Sequence, residues 1–456
     1  MIQPPTPTSS TCSSLRESRR RESHADNKTP RVRYLTEGRL VVCGLIAATQ
    51  MSWGSVVPAL PTYTAQFGVG AIGLGVIIAA FGLGRLIINI PAGLLARRLA
   101  PWPLLVALVL GVFALTIATG FMTEFVPVLV LRFVAGVFSG AAITIGQTLV
   151  LQGAPPEARG RVSSILQSVQ LAGAALGPAL GGIAVSLWNV QAAFLAASSG
   201  CAVFLVWAVV RWRRLRPVRS SPADAESPHA APRPPGVSRG SRRATLVAIA
   251  AINGVGFVIF SVRFGGQQGL VPLLAVQLVD LQPWQLGLGL GAITVVALCF
   301  THLIGVATDR WDHRWVLAPL LLVSAGLTPL YLVVSEPISF LVVLVAVGVT
   351  GSIVSGIPLA SLADTVAPAR LGLAMGVYRT FGDLGTIVGP IAFTAVLTAW
   401  GPQVAVFTLA GLTLVGAVLA CVRPRGPELS SVALLEERDL VGPEVSRADL
   451  ERTPVG

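Results

Sequence analysis

The sequence predicts an all-α integral membrane protein of twelve transmembrane helices, arranged as two pseudo-symmetric six-helix bundles around a central cavity. Three observations predict it. Apolar residues make up 53% of the 456 and charged residues only 12%, with a mean hydropathy of +0.75, more apolar surface than a water-soluble chain of this length could bury. The apolar residues fall into twelve runs about as long as a hydrocarbon core of ~30 Å requires. The segments between the runs alternate between those that contain Arg and those that do not.

In chain order the runs are 40–60, 70–91, 103–122, 125–151, 162–187, 191–211, 244–264, 284–307, 315–334, 338–363, 371–399 and 404–422. Helices are expected because backbone groups in lipid must be satisfied within their own segment. Segments 92–102, 152–161, 212–243, 308–314 and 364–370 contain Arg, whereas 61–69, 123–124, 188–190, 265–283, 335–337 and 400–403 contain no Lys or Arg. The charges of the second set are Glu124, Asp280 and Glu336. The excess of positive charge on one side places the first set in the cytoplasm, and an even number of spans places both termini there too. The first 38 residues are polar and basic and lack the short apolar stretch of a cleavable signal, which agrees.

The expected organisation is a disordered basic cytoplasmic tail at 1–39, a first bundle at 40–212, a cytoplasmic linker at 213–243, a second bundle at 244–422 and a tail at 423–456. The linker is rich in Pro, Ser and Arg, a composition that tethers rather than packs, though its charges could also meet anionic headgroups. The net charge of +12 is therefore a matter of topology, and no nucleic-acid partner is expected. Cys12, Cys43, Cys201, Cys299 and Cys421 lie too far apart for a zinc or disulfide pattern, so no metal or cofactor is expected. No nucleophile triad or phosphate-binding glycine loop is present in the sequence, which argues against an enzyme. Lys28 is the sole Lys, the bias that GC-rich coding gives, and a bacterial plasma membrane is the expected location.

An internal repeat relates the halves. A constant shift of 212 carries Gly75 to Gly287, Gly93 to Gly305, Arg98 to Arg310, Gly136 to Gly348, Pro156 to Pro368, Gly160 to Gly372, and Gly177-Pro178 to Gly389-Pro390. Two parallel six-helix repeats place a binding cavity between them near the bilayer midplane, as expected of a carrier that rocks.

Over residues 40 to 422 the chain resembles the major facilitator superfamily, in particular its twelve-helix drug:proton antiporters. GVATDRWDHR at 305–314 is similar to the superfamily's loop signature between the second and third helices of a half. Leu131-Arg132 with Gly136 and Gly140-Ala141-Ala142 resembles the Arg motif of the fourth helix, linked in that family to proton transfer. Gly173, Gly177, Pro178, Gly181 and Gly182 match the fifth-helix pattern associated with antiporters, although Gly-Pro patterns also serve packing. The resemblance implies a secondary transporter in the lipid bilayer, moving a small molecule with protons and functional as a monomer.

Charges inside the spans cost about 2.5–3.5 kcal/mol each at a helix centre, which makes each a candidate for function. They are Arg85, Arg132, Arg263, His302, Arg379 and Asp383. Arg132 is read as a fixed charge in the cavity, or as a structural cation on backbone carbonyls. Arg379 and Asp383 are four apart, hence on one face, and Arg85 lies at similar depth on the helix that faces them in the resembled fold. Asp383 is therefore expected to be shared between Arg85 and Arg379, as a proton carrier or as a permanently paired carboxylate. His302 is a further titrating candidate near Gln167 and Gln170. Arg263 is placed at the outer end of its helix, where it can snorkel.

The cavity is expected to be lined by Gln50, Trp53, Asn253, Phe257, Phe260, Ser352 and Ser355, an aromatic surface with a few neutral polar groups. That lining suits proton-coupled efflux of small hydrophobic or amphipathic compounds; the alternative is a symporter or facilitator for a small metabolite, anionic in view of Arg85 and Arg132. The loops contribute a cytoplasmic gate: Gly305, Asp309 and Arg310, with Asp309 facing Arg159 or Arg161 at the start of the fifth helix. In the first half Gly93, Arg97 and Arg98 replace that pattern, with a base where the second half has an acid. Arg97 then either pairs with Asp364 in a reversed gate or serves orientation alone.

Overall fold

The computed structural model describes residues 37–152, 159–211, 239–366 and 368–421, and every element in them is helical. α1 (Glu37–Val56) runs through a 3₁₀ turn at Val57–Ala59 into α2 (Leu60–Gln66), followed by α3 (Gly70–Arg98), α4 (Pro101–Gly120), α5 (Phe125–Gln152), α6 (Arg159–Leu187) and α7 (Val190–Val210). In the second half α8 (Arg239–Phe260) continues through a π-helical stretch, Ser261–Leu270, into α9 (Val271–Val279). Then come α10 (Pro283–Arg310), α11 (His313–Leu327) with a 3₁₀ turn at Thr328–Leu332, α12 (Pro337–Ile353), a 3₁₀ turn at Val354–Gly356, α13 (Ile357–Thr365) and α14 (Pro368–Ala420).

Sequence chemistry sets the boundaries. Pro101, Pro283, Pro337 and Pro368 open helices, where a missing N–H costs nothing. Gly68 and Gly70, at φ 65° and 61°, turn the chain between α2 and α3. Asp280, at φ 47°, ends α9 in the left-handed conformation that an Asp tolerates.

Among the described residues, eleven helical segments are long and apolar enough to cross a membrane. The last of these, Ala374–Ala420, has 47 residues, about twice what one crossing needs, and Gly401 breaks it at φ 84°, ψ 180°. That break falls inside the predicted loop at 400–403. The predicted loop at 265–283 is a correction: the helix begun at Arg239 carries on to Val279. Gly265, Gly266 and Gly269 suggest a loop there, yet they let the π-helical stretch lie against Gly389, Leu409 and Pro390 respectively. Arg263 consequently stands near the middle of the span Leu246–Val279 rather than at a snorkelling end.

α3 packs on α5 and on α14; α6 packs on α1 and on α10; α8 packs on α14. The α3–α14 and α6–α10 seams join residues from before the linker to residues after it. One hydrophobic core, with Trp53, Tyr63, Phe81 and Phe194 from the first half and Phe264, Tyr331, Phe340 and Phe393 from the second, occupies the Arg-poor end of the helices. Towards the Arg-rich end the core divides. Leu45, Trp102 and Val162 belong to a cluster confined to the first half, and Val255, Leu317 and Ile357 to one confined to the second.

Candidate functional site between α3, α5 and α14

Glycines close both seams by the same device. On α3–α14, a Cβ at Gly75 would meet the Pro390 carbonyl oxygen and Thr394; on α6–α10, a Cβ at Gly287 would meet the Pro178 carbonyl oxygen and Gly182. Each of these positions maps onto its counterpart by the 212-residue shift. Gly82 against Thr386 and Gly291 against Ala175 extend the two seals. All of these contacts sit in the Arg-poor half of the helices, where the shared core lies.

Just beyond the α3–α14 seal, towards the Arg-rich end, the polar groups meet. Arg85 and Asn89 are four apart on α3, and Arg379 and Asp383 four apart on α14, so each pair presents one helix face. Asp383 is fifteen residues from Pro368 and eighteen from the break at Gly401, close to mid-helix, and only 2% exposed. Its Oδ2 accepts a hydrogen bond from Nδ2 of Asn89, across the seam. The carboxylate expected to be shared by two arginines is thus held by an amide instead. Among the described residues neither Arg85 nor Arg379 approaches Asp383 within the 4.0 Å of an ion pair.

Both cations remain close. Arg379 is in electrostatic reach of Arg85 and Asp383, and its Nη1 donates a long 3.4 Å hydrogen bond to Gln147 Oε1 of α5. Nε of Arg85 is buried without a hydrogen-bond partner. Two guanidinium groups with unused donors beside one carboxylate in a low-dielectric site can receive an anion, and the carboxylate can exchange a proton.

Of the cavity residues, Trp53 stacks on Phe81 with ring centroids 4.3 Å apart and donates its indole N–H to Gln268 Oε1 at 2.8 Å, a bond between the two halves. Phe260 stacks with Phe264 at 6.2 Å and lies against Gly382, next to Asp383. Phe257 lends its backbone to the contact with Gly385. Asn253 is buried and donates to Ile249 of its own helix, leaving its amide oxygen without a partner, and Ser355 donates back to Ser352. Gln50 is half-buried on α1.

Arg132 is elsewhere. It is 2% exposed inside the first half, with its guanidinium 5.4 Å from the centroid of Phe194 and Tyr63 nearby, and it does not join Arg85 and Asp383. Gln170 is buried with its amide nitrogen unpaired. Gly173, Gly177 and Gly181 bring α6 onto α1: a Cβ at Gly177 would lie 2.6 Å from the Met51 carbonyl oxygen, and those at Gly173 and Gly181 would run into Ala47 and Ser55. Gly182 faces Pro283 across the second seam. Gly385 and Gly389 repeat the device on Phe257 and Ser261. The motif is fully occupied by close helix packing. Arg310 is exposed; Gly93, Arg97, Arg98, Arg159, Arg161, Gln167, His302, Gly305, Asp309 and Asp364 have side-chain positions outside the described residues.

Sequence reasoning missed Asn89, Gln147 and Gln268. All three are neutral amides within apolar spans, like Gln50 and Asn253, and helix packing rather than residue type singles them out.

A bundle of membrane-length helices with a mid-depth carboxylate and arginines between two seams defines a polytopic membrane transporter. The chain belongs to the major facilitator superfamily, whose family profile matches residues 42–300 and 256–450. It is 30% identical over 171 residues to the multidrug resistance protein MdtG of Erwinia billingiae, covering 37% of this chain and 41% of that protein. The chain thus aligns with about two fifths of the length of that relative. It is 20% identical over 361 residues, 76% of this chain and 87% of the relative, to an MFS-type transporter of Methanocaldococcus jannaschii. Its fold is similar to that of a POT family transporter in complex with 5-aminolevulinic acid, with a TM-score of 0.70 at 13% identity, covering 85% of this chain and 96% of the other. It is also similar to the human organic anion transporter MFSD10, with a TM-score of 0.57 at 18% identity, covering 86% and 100%. These two likenesses concern the fold alone. Family membership agrees with the expectation of a transporter rather than an enzyme.

Proposed function

We propose that the chain is a proton-coupled carrier of a small organic anion, with Asp383 as the proton site and Arg85 and Arg379 as the cations that hold the substrate. The observation that supports it is the Asp383 carboxylate, buried at mid-helix and held by Asn89, with Arg379 in electrostatic reach of it and of Arg85 and no ion pair between them. An anion drawn to Arg85 and Arg379 puts a second negative charge beside Asp383. Two like charges in one apolar site favour protonation of one of them. Neutral Asp383 loses the charge-assisted bond from Asn89, and the α3–α14 contact loosens. Anion and proton then travel together.

The remaining expectations belong to this proposal. We read the break at Gly401 as dividing the last of the eleven segments into two crossings, twelve in all in two six-helix halves, and we place both termini in the cytoplasm of a bacterial plasma membrane with a monomer as the working unit. The sealed Arg-poor end and the divided core at the other end are read as an inward-facing state. Asp309 with Arg159 or Arg161, and Arg97 with Asp364, would lock the Arg-rich end in the opposite state.

A second reading, efflux of small hydrophobic or amphipathic compounds by proton antiport, draws on the aromatic group around Trp53, Phe81, Phe260 and Phe264 and on the identity to MdtG. The arginines favour the anion. Glycines committed to packing say nothing of direction, so the fifth-helix motif does not help the antiporter. Proteoliposomes with the pH gradient imposed in either direction, offered labelled carboxylates and lipophilic cations in parallel, decide between them. Anion uptake that follows the proton gradient is expected; gradient-driven movement of the cations alone would replace the first reading with the second.

A further inference from the structure

Arg379 and Asp383 have the spacing of an ion pair within one helix, yet among the described residues no ion pair joins them. Each is engaged instead by an amide of the first half. Asp383 Oδ2 accepts from Asn89 Nδ2 of α3, and Arg379 Nη1 donates to Gln147 Oε1 of α5 at 3.4 Å. The pair is thus split by two contacts that both cross between the halves.

Local geometry lets a long, neutral hydrogen bond do this. Side chains on a helix lean towards its N-terminus, so the Arg379 guanidinium is carried away from Asp383, which lies one turn further on. A base N-terminal to its acid is also the less favourable order for pairing at this spacing. α14 packs on α3, α8 and α11, and the Arg379 side chain reaches past them to α5, where both it and Gln147 are half-buried. The Gln147 amide oxygen orients a guanidinium without neutralising it. A carboxylate at 147 would consume the charge, and an apolar side chain would release it to Asp383. The 212-residue shift leads from Gln147 to Leu359, so the second half has no equivalent amide.

We propose that Gln147 is a positioning residue: it holds Arg379 away from Asp383 and keeps its remaining donors, with those of Arg85, available to the substrate carboxylate. This rests on the reading of Arg85 and Arg379 as the anion site. Without Gln147, Arg379 turns back along α14 to Asp383, and one of the two cations is lost to the substrate.

Calorimetric binding of benzoate and of succinate to the purified full-length protein tests this in a double-mutant cycle. Gln147→Leu should weaken binding by about tenfold, the weight of one hydrogen bond to a charge. In the Asp383→Asn background the same change should alter binding by less than about twofold, because no carboxylate is left to capture Arg379. Gln147→Met, which keeps the length of the side chain, should match Gln147→Leu and carries the comparison if the latter does not fold. An equal loss in both backgrounds, or no loss in either, would overturn the positioning role and leave the anion reading standing. Binding of neither acid, or binding that Arg379→Gln leaves unchanged, would remove the anion reading and this role with it.

Discussion

The two seams between the halves are built alike and furnished differently. Both are sealed by a glycine against the carbonyl of a Pro, Gly75 on Pro390 and Gly287 on Pro178. One step further in they part. The α3–α14 seam carries Arg85, Asn89, Arg379 and Asp383; the residues at the matching positions of α10 and α6 are Ala297, Thr301, Gln167 and Leu171. Duplication supplied the seal twice, and at these four matched positions the ionisable groups stand on one side.

The largest expected effect lies on the charged seam. In a coupled pair of sites one ligand changes affinity for the other by about 5–150-fold. Asp383→Asn should collapse that factor to one: substrate affinity becomes independent of pH, accumulation against a gradient is lost, and exchange of substrate for substrate persists. Binding measured across pH, with counterflow in proteoliposomes as the control, checks this. A pH-dependent affinity that survives in Asp383→Asn would remove the carboxylate from the coupling.

Asn89→Leu should have the next effect. Its amide donates to the ionised form of Asp383, a bond worth about 1.5–3 kcal/mol. Without it the carboxylate no longer ties α14 to α3, so the dependence of uptake on pH should weaken. Asn89→Gln should restore part of that dependence, whereas a general loss of packing would lower the rate at every pH.

The seals themselves should answer equally. Gly75→Val and Gly287→Val each force a side chain against backbone, at about 1–3 kcal/mol. Both should shift the population towards an open Arg-poor end, read as faster thiol labelling of a cysteine introduced at buried Thr386 in a background freed of the native cysteines. If one variant opens the molecule and the other does not, the seams are not mechanically equivalent.

Much of this was legible in the sequence. Apart from the seventh, which runs on to Val279, hydropathy set the helices to within about six residues, because lipid leaves the backbone no other choice. The 212-residue shift matched Gly75 with Gly287 and Pro178 with Pro390, without showing that they meet across the halves, and the i, i+4 spacing put Arg379 and Asp383 on one face. What stayed hidden depends on approach rather than periodicity. Asp383 could have been met by Arg85 or by Asn89, one turn apart on α3, and only the geometry of the seam selects the amide. Gly265, Gly266 and Gly269 read as a loop because glycine in isolation does; packed against Gly389, Leu409 and Pro390 they hold a helix, which moved Arg263 from an interface to mid-membrane.

The smallest expected effect tests a link that lies off both seams. Trp53 joins the halves through its indole N–H to Gln268, while its ring stacks on Phe81 within the first half. Trp53→Phe keeps an aromatic ring for the stack and deletes the hydrogen bond, worth about 0.5–1.5 kcal/mol. If the bond holds the Arg-poor end shut, labelling at Thr386→Cys should rise by a few fold, less than for either seal variant, and Gln268→Leu should match it with no further rise in the double variant. If the single changes add, the two residues act separately, and the closure of the Arg-poor end belongs to the glycine seals alone.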